Sequence, residues 1–477
     1  MIALPNDIFP LPVEQAHHLA KRFFGKLLLR REIPLSDLNF HQLVSHRYFS
    51  PTPSIQKKTF RYICSRCNNQ KRSLFGKLPC HVCQVMHTYC RKCIEMGRVI
   101  ECEPLYHWTG PSPLYPSIPE PCSWNGQLAD NQIEAAKRIT SAIANQEEQL
   151  LIWGVCGAGK TEMLFPGLTK AIRLGKRICL ATPRADVVRE LLPRLQEAFA
   201  PVDIQGLYGG SKDREGTAQF IIATTHQLLR FEKAFDVMII DEVDAFPYHK
   251  DASLPFATER AGKKVSTTIY LTATPRAEQK QAMHRNQLPF MFVPKRFHGH
   301  PLPVPKFKMC FSLRKSLATY HPPTALISWL HHRKHQYRQI LIFVPTIKLA
   351  EKLGDYLQQL LFEQKIIQSR QQVQSVHADD KQREEKIASF RKKEIFMLLT
   401  TTILERGVTF PAIDVIVLDA GHDVFDEAAL VQIAGRAGRS PQDPTGEVIF
   451  FHEGKTEAMV QAVSLIQRMN RRGAKQG

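Results

Sequence analysis

The chain has 477 residues, of which 43% are hydrophobic and 23% are charged, so its composition is that of a globular protein and excludes a disordered, collagen-like or disulfide-scaffold chain. This length predicts two to four domains, because one hydrophobic core usually organises about 100 to 200 residues. The formal net charge of +19 predicts a polyanionic partner, either nucleic acid or the anionic face of a membrane.

The amino-terminal region, residues 1–59, contains no motif that indicates a function. Its opening stretch, MIALPNDIFPLPVEQ, lacks the basic segment and apolar core of a secretion signal, and no run in the sequence reaches the roughly 18 apolar residues of a membrane span. We therefore expect a cytoplasmic protein that is not itself transmembrane. Cysteines stay reduced in the cytoplasm, so a tight group of them predicts metal ligands.

Residues 60–103 form a predicted zinc module that contains three C-x-x-C pairs: Cys64 and Cys67, Cys80 and Cys83, Cys90 and Cys93. Each such turn directs two thiolates at one ion, and two turns complete the tetrahedral site that Zn²⁺ prefers. We assign the zinc site to the first and third pairs, and the middle pair remains the alternative partner. Three pairs exceed one site, so a second ion could be completed by His81, His87 and Cys102.

Two proline-rich segments, 104–126 and 298–306, are predicted linkers, because proline cannot donate a hydrogen bond to a helix or a sheet. They precede residues 127–297 and 307–477. In both parts short apolar runs alternate with helical patterns, which is typical of βαβ units around a parallel sheet. The predicted strands are QLLIW, RICLAT, QFIIAT, FDVMIID and TTIYLT in the first part, and QILIFV, VQSVHA, IFMLLT, DVIVLD and EVIFF in the second.

The stretch GVCGAGKT follows the first of these strands and precedes a helical pattern, in the G-x-x-x-x-G-K-[ST] order of a phosphate-binding loop. Its backbone amides are expected to surround a phosphate, with Lys160 at the terminal phosphates of ATP and Thr161 on Mg²⁺. The predicted nucleotide-binding residues are Gly154, Val155, Cys156, Gly157, Ala158, Gly159, Lys160 and Thr161.

Two further segments predict catalytic residues. The strand FDVMIID ends in Asp241 and Glu242, which we expect to hold Mg²⁺ and to polarise the attacking water, respectively. In the other part, QIAGRAGR contributes Gln432, Arg436 and Arg439. Arginines three positions apart share a helix face or its end, and a guanidinium fork suits the charge that develops on a phosphate. We therefore predict that Arg436 and Arg439 are arginine fingers.

The segments GVCGAGKT, ATPR, IATTHQLL, DEVD, TATP, ILIFVPT, TTTILERGVTFP and QIAGRAGR occur in an order that resembles the superfamily 2 helicases. The resemblance implies an α/β fold of two tandem RecA-like parallel-sheet lobes, 127–297 and 307–477, with ATP at their interface and single-stranded nucleic acid across both. The small cysteine-rich zinc module precedes these lobes.

The same resemblance implies that Gln132 reads adenine and that Thr272 and Thr274 couple hydrolysis to the grip on the strand. Thr409 stands where many members of the superfamily have aspartate, so the ribose contact of that position is left open. The implied nucleic-acid contacts are Thr182, Arg184, Thr224, Thr225, Thr401 and Thr402.

A zinc module followed by GRVIECEPLYHW, a proline linker and WNGQLADNQ resembles the ComFA family of late-competence DNA-uptake ATPases, from Phe60 onward. The resemblance implies a helicase-like ATPase that draws single-stranded transforming DNA into the cell, with a membrane DNA-uptake channel and other competence proteins as partners. It also implies a peripheral position at the inner face of the cell membrane.

Three other functions are weighed against this one. In a replication-restart helicase the zinc cysteines interrupt the second lobe, whereas here they precede the first. An RNA remodeller is disfavoured because the motifs DEVD and QIAGRAGR differ from the corresponding motifs of DEAD-box proteins. A non-enzymatic, zinc-dependent DNA-binding scaffold is disfavoured because no residue that hydrolysis needs is missing from the motifs.

Overall fold

The computed structural model describes residues 11–59, 61–81, 83–213 and 215–475. Within these ranges the chain forms two compact units. Unit 1 contains the described residues up to Gln127, together with Glu134–Ile152 and Thr161–Met291. Unit 2 contains Leu128–Ile133, Trp153–Lys160 and the described residues from Phe292 onward. The phosphate-binding stretch is thus grouped with the carboxy-terminal part of the chain.

The amino-terminal part of unit 1 consists of short elements, whose bounds are α1 Val13–Phe23, β1 Leu27–Leu29, α2 Asp37–Ser45, β2 Phe49–Thr52, β3 Ile55–Lys58, β4 Arg61–Cys64, β5 Phe75–Pro79, β6 Met86–Cys90, β7 Val99–Ile100 and β8 Leu105–Trp108. Strands β1, β8 and β2 form an antiparallel sheet in that order. An aromatic core beneath it includes Phe23, Phe40, Phe49 and Trp108. The amino-terminal region, in which the sequence shows no motif, is therefore folded and is stabilised by buried aromatic side chains.

The segment predicted as the first linker begins with strand β8, which is a correction to the sequence analysis. Leu105 and Trp108 are buried, and their strand is the centre of the three-stranded sheet. After Trp108, residues 109–129 contain neither helix nor strand, as the prolines predict. This stretch lies on the lobe that follows it: Gln219 Nε2 donates to the Pro116 carbonyl at 3.0 Å, and Ser117 Oγ donates to that of Arg173 at 2.5 Å.

The first lobe has the elements α3 Asp130–Ala144, β9 Gln149–Gly154, α4 Lys160–Met163, α5 Phe165–Arg173, β10 Ile178–Thr182, α6 Ala185–Ala198, β11 Ile204–Leu207, β12 Phe220–Thr224, β13 Phe235–Asp241, α7 Ser253–Ala261, β14 Gly262–Thr272, α8 Ala277–His284 and β15 Phe290–Val293. Its sheet has the order β11-β12-β10-β13-β14-β9-β15. The pairs from β11 to β14 are parallel. All five predicted strands are present, and β10, β12 and most of β13 are buried, as strands covered on both faces must be.

The second lobe has the elements β16 Lys306–Met309, α9 Leu313–Ala318, α10 Thr324–His332, β17 Gln339–Phe343, α11 Ile347–Glu363, β18 Val373–Val376, α12 Arg383–Arg391, β19 Met397–Thr400, β20 Ile413–Val417, α13 Glu427–Ala434, β21 Val448–His452 and α14 Glu457–Lys475. Its sheet has the order β16-β21-β20-β17-β19-β18, and every pair is parallel. The predicted α/β class with two parallel-sheet lobes is confirmed. Among the helices of the described ranges, none combines the length and the apolarity needed to cross a membrane.

Candidate functional site

The phosphate loop, residues 154–160, leaves β9 and enters α4 with a backbone that only glycine adopts readily. Gly157 and Gly159 have φ angles of 81° and 71°, in the left-handed region. Lys160 Nζ donates to the carbonyl of Gly154 at 3.2 Å, so the ammonium group lies back over its own loop. This backbone fits the triphosphate that the helicase fold implies, because consecutive glycine turns of this kind let backbone amides approach an anion closely.

Gln132 holds the phosphate loop from α3. Its Nε2 donates to the Ala158 carbonyl at 2.9 Å, and its Oε1 accepts from the amide of Ala129 at 2.8 Å. The side chain is 4% exposed. Both ends of its amide thus bind backbone and stabilise the loop, while the predicted contact with adenine stays a prediction.

Within unit 2 the phosphate loop packs directly against α13. Cys156 Sγ lies 3.1 Å from Gln432 Oε1, which accepts its hydrogen bond. A Cβ atom on Gly435, at the end of α13, would lie 2.4 Å from Cys156 Cβ, so only glycine permits this approach. Cys156, which the sequence assigns merely to the loop, is therefore its contact with the QIAGRAGR segment.

Arg436 and Arg439 follow the end of α13, as predicted, but they differ in placement. Arg436 is 1% exposed, and its guanidinium donates to the carbonyls of Glu405, at 2.9 Å, and Val408. Arg439 is half-buried and donates from Nε to the Gly435 carbonyl at 3.1 Å. In this arrangement Nε and Nη1 of Arg436 bind carbonyls of the preceding loop, and the role of Arg436 as an arginine finger stays a prediction. The role of Arg439 stays a prediction.

Arg296 is a residue that the sequence analysis missed. It is 1% exposed and donates to the carbonyls of Gly435 at 3.2 Å, Ala437 at 2.9 Å and Gly438, which the end of α13 leaves without helical partners. Burial, and then the charge of Arg439, lower the pKa of Arg296 to about 10, so it stays charged at neutral pH. No motif marks it, and only the tertiary contact reveals that it fixes the turn before Arg439.

The acidic pair of unit 1 lies at the carboxyl end of β13. Glu242 has a φ of 56°, and its amide donates to Asp241 Oδ1 at 2.9 Å. Glu242 Oε2 is buried and has no hydrogen-bond partner among the described residues. A buried carboxylate oxygen of this kind suits the proton of an attacking water. The Asp241 carboxylate and the Thr161 hydroxyl are oxygen donors of the type that Mg²⁺ requires.

Asp244 joins the DEVD segment to the TATP segment, and the sequence analysis did not single it out. Its carboxylate is fully buried and accepts from Thr272 Oγ1 at 2.6 Å and from Thr274 Oγ1 at 2.5 Å. Arg276 Nη2 donates to the Asp244 carbonyl at 2.7 Å. Thr272 and Thr274, the predicted couplers, are therefore bonded to the chain two residues after the acidic pair.

The predicted nucleic-acid residues fall into a buried group and an accessible group. Thr182 and Thr224 end β10 and β12, Thr225 follows β12 directly, and all three are buried. Their burial agrees with the position of these strands inside the sheet, and their contact with nucleic acid stays a prediction. Arg184, Thr401 and Thr402 are half-buried, and their contact with nucleic acid likewise stays a prediction.

The first and third cysteine pairs meet at one point of the zinc module. Cys64, Cys67, Cys90 and Cys93 are at most 1% exposed, and their sulfur atoms all lie within 4.8 Å of one another. The Sγ atoms of Cys64 and Cys93 are 3.7 Å apart, and those of Cys67 and Cys90 are 3.6 Å apart. Zn–S bonds of about 2.3 Å at tetrahedral angles place two sulfurs about 3.8 Å apart. The four thiols thus fit a zinc ion.

The zinc module is packed on the first lobe through α7. Arg260 of that helix donates from Nη1 to the carbonyls of Ser65 at 2.9 Å and Arg66 at 2.6 Å, inside the first C-x-x-C turn. Burial lowers the pKa of Arg260 to about 10. Lys92, in the third pair, forms an ion pair with Asp251 of the same lobe. The cysteines share one hydrophobic cluster with strands and helices of the lobe.

Family models match three parts of the chain in this order. The competence protein ComFA N-terminal domain matches residues 13–107, the type III restriction enzyme res subunit matches residues 125–277, and the helicase conserved C-terminal domain matches residues 322–441. Two solved structures share the fold of the lobes. S. cerevisiae Dbp5 bound to RNA and ADP BeF3 gives a TM-score of 0.52 at 19% identity, over 72% of this chain and 91% of that one. Mycobacterium smegmatis helicase Lhr bound to ssDNA and AMP-PNP also gives 0.52, at 18% identity, over 73% of this chain and 50% of that one.

Curated relatives match along nearly the whole chain. Competence protein ComFA of Bacillus subtilis is 43% identical over 470 residues, which cover 98% of each chain. Competence protein ComFA of Streptococcus pneumoniae is 37% identical over 419 residues, which cover 88% of this chain and 93% of that one. With the phosphate loop, the acidic pair and both helicase lobes in place, the chain belongs to the ComFA family and is an ATP-hydrolysing enzyme of the helicase class.

Proposed function

We propose that this competence ATPase is a motor that moves along single-stranded DNA and drives the import of transforming DNA. The observation that carries the proposal is the contact within unit 2 between the phosphate loop and the QIAGRAGR segment, made by Cys156 and Gln432 at 3.1 Å. A motor needs its nucleotide-binding loop to act on residues of the second lobe, and this hydrogen bond joins the two segments.

The chain supplies each group that hydrolysis requires. Lys160 and the amides of the phosphate loop bind the phosphates of ATP, and Thr161 and Asp241 hold Mg²⁺. Bound Mg²⁺ supplies charge neutralisation at those phosphates. Glu242 Oε2 accepts the proton of the attacking water, and Arg439 stabilises the charge that develops, with Arg296 fixing the turn before it.

Coupling to the strand runs through Asp244. Its carboxylate binds both Thr272 and Thr274, so a shift of the chain after Glu242 changes their positions. Arg184, Thr401 and Thr402 contact the phosphates of the strand, which positions it without reading its sequence. The net charge of +19 favours the encounter with DNA over any neutral partner.

The zinc module serves this motor as a bound structural element. Cys64, Cys67, Cys90 and Cys93 hold one Zn²⁺, since their burial and sulfur spacing fit a closed tetrahedral site. The relatives are named competence proteins, which supports a role in natural competence. We propose a cytoplasmic position at the inner face of the membrane, with a DNA-uptake channel and other competence proteins as partners.

Steady-state ATP hydrolysis with no polymer, single-stranded DNA, RNA and a forked duplex tests the proposal. We expect single-stranded DNA to stimulate hydrolysis at least tenfold, and ATP to drive displacement of streptavidin from end-labelled strands. Lys160→Ala should abolish both activities, and the matched control Lys137→Ala, at an exposed position of α3, should change neither. Greater stimulation by RNA or by forks, or equal hydrolysis by Lys160→Ala and the parent protein, would contradict the proposal.

A further inference from the structure

Three cysteines outside the buried quartet form a second group in the zinc module. The sulfur atoms of Cys80, Cys83 and Cys102 all lie within 4.8 Å of one another. His87 joins them, because its Nε2 is 3.0 Å from Cys83 Sγ. Three thiols and an imidazole are a donor set that Zn²⁺ takes in structural sites, and an intracellular chain keeps such thiols reduced.

The middle C-x-x-C turn has the same backbone as the first one. At Cys64, the amide of Asn68 donates back to the Cys64 carbonyl at 2.8 Å, and the Cys64 amide donates forward to that of Asn69 at 3.1 Å. At Cys80, the amide of Gln84 donates to the Cys80 carbonyl at 2.9 Å, and the Cys80 amide donates to that of Val85 at 3.0 Å.

The residue after the second cysteine is left-handed in both turns, with φ of 55° at Asn68 and 56° at Gln84. A non-glycine residue rarely adopts this conformation without a local reason. The turns at Cys64 and Cys80 therefore share one backbone conformation. The turn at Cys80 contributes no ligand to the buried quartet.

The remaining two donors reach this turn by strand pairing. His87 lies on β6 opposite Leu78 of β5, close to the end of the hairpin that carries Cys80. Strand β7 pairs with β6, and the Glu101 amide donates to the Thr88 carbonyl at 2.9 Å, which brings Cys102 to the same end. His87 and Cys90 are three residues apart on one strand, so they face opposite sides of it. The two groups cannot compete for one ion.

We propose that Cys80, Cys83, Cys102 and His87 bind a second zinc ion, which joins the end of the β5–β6 hairpin to the segment after β7. Cys83 and Cys102 are exposed, and Cys80 and His87 are half-buried, whereas the first quartet is closed to solvent. The second ion therefore exchanges with chelators much faster than the first. The site stands on these ligands alone and does not depend on the motor activity.

Elemental analysis and chelator-release kinetics of the full-length protein, purified under reducing conditions without chelator, test the site. We expect two zinc ions per chain, one released by EDTA within minutes and one retained until the protein unfolds. Cys83→Ser/Cys102→Ser should contain one ion and lose only the fast phase. The control Cys122→Ser removes a half-buried thiol outside both groups and should keep both ions.

Two further measurements separate this site from the first. Cobalt bound to Cys64→Ser/Cys67→Ser protein should show thiolate charge-transfer bands, and adding His87→Gln should shift the d–d bands of that cobalt. If the parent protein holds one zinc that persists unchanged in Cys83→Ser/Cys102→Ser, the proposal is overturned. A single zinc that this variant loses would instead uphold the second site and refute zinc in the buried quartet.

Discussion

The residues of the nucleotide site are held mainly by backbone, whereas the buried cysteine quartet is held by its own side chains. Lys160 bonds to the Gly154 carbonyl, Gln132 to that of Ala158, and Arg296 to the end of α13. The four thiols instead contact one another inside a hydrophobic cluster. The difference implies that substitutions at the nucleotide site remove chemistry and leave the fold, and that substitutions of the cysteines remove the fold of their module.

Glu242→Gln should show the largest effect and break the chemistry alone. Losing the carboxylate that accepts a proton from water should lower kcat at least 100-fold, about 2.7 kcal/mol in activation free energy, with ATP binding retained. Steady-state kinetics and nucleotide titration measure this. Glu278→Gln, at an exposed position of α8, is the control. A fall in melting temperature with an unchanged kcat would show that Glu242 stabilises the fold and does not take part in hydrolysis.

Cys64→Ser/Cys93→Ser should have the opposite profile. Removing two ligands of a closed zinc site should lower the melting temperature by about 5–10 °C, because metal binding and folding are coupled. ATP hydrolysis without DNA, measured on the folded fraction, should change less than threefold. Zinc content, calorimetry and hydrolysis rates test this, with Cys122→Ser as the control. An unaltered melting temperature after zinc loss would show that the module is not held by its metal.

Asp244→Asn should fall between these two cases, because the residue is both buried and placed between two motifs. The amide keeps one acceptor oxygen, so the loss of one hydrogen bond should lower the free energy of unfolding by about 1–3 kcal/mol. We expect hydrolysis without DNA to persist and stimulation by single-stranded DNA to fall severalfold. Thr274→Val, which removes one of the same bonds, should reproduce the loss of stimulation. If single-stranded DNA stimulates hydrolysis fully in both variants, the hydrogen bonds of Asp244 do not couple hydrolysis to DNA binding.

The smallest effect concerns pH and the amino-terminal domain. Burial, and then the charge of Arg177, lower the pKa of Lys26 from 10.5 to about 7, although its Nζ donates to the carbonyls of Arg22 and Glu215. Between pH 7 and pH 10.5 Lys26 is protonated more fully in the unfolded chain than in the folded one. The free energy of unfolding therefore rises with pH in this range.

We therefore expect the melting temperature of the parent protein to rise by a few degrees from pH 7 to pH 9, relative to that of Lys26→Met. Lys21→Met, at an exposed position of α1, should keep the pH dependence of the parent. Identical pH profiles for the parent and Lys26→Met would show that Lys26 does not titrate in this range.

The lobes could be predicted from the sequence because their strands are long, apolar and separated by helical patterns. All ten predicted strands are present at their places in the two sheets. The three-stranded sheet of the amino-terminal domain was missed, since strands such as Leu27–Leu29 are too short to show a period. Strand β8 was assigned to a linker because prolines crowd the residues after Trp108.

The candidate site was predictable where one motif supplies both donor and geometry, as in the phosphate loop. It was not predictable where a partner lies far away in sequence. Arg296 carries no motif and is recognised only by the carbonyls of residues 435–438, and Asp244 gains its role from hydroxyls about thirty residues later. Arg436 belongs to a motif, yet it is buried and its Nε donates to the Glu405 carbonyl, which the motif does not indicate. Motif spacing identifies candidate residues for the site. Only the packing of the folded chain decides which of their side chains stay accessible to a ligand.

The chain between Asp241 and Thr272 carries more than the acidic pair that we propose for hydrolysis. Asp251 forms an ion pair with Lys92 there, and Arg260 of α7 grips the carbonyls of Ser65 and Arg66. One polypeptide segment therefore carries Asp241 and Glu242 at one end and binds the cysteine module further along. If that segment moves, these bonds transmit the movement to the cysteine module, so a probe attached to the module would report a displacement near Glu242.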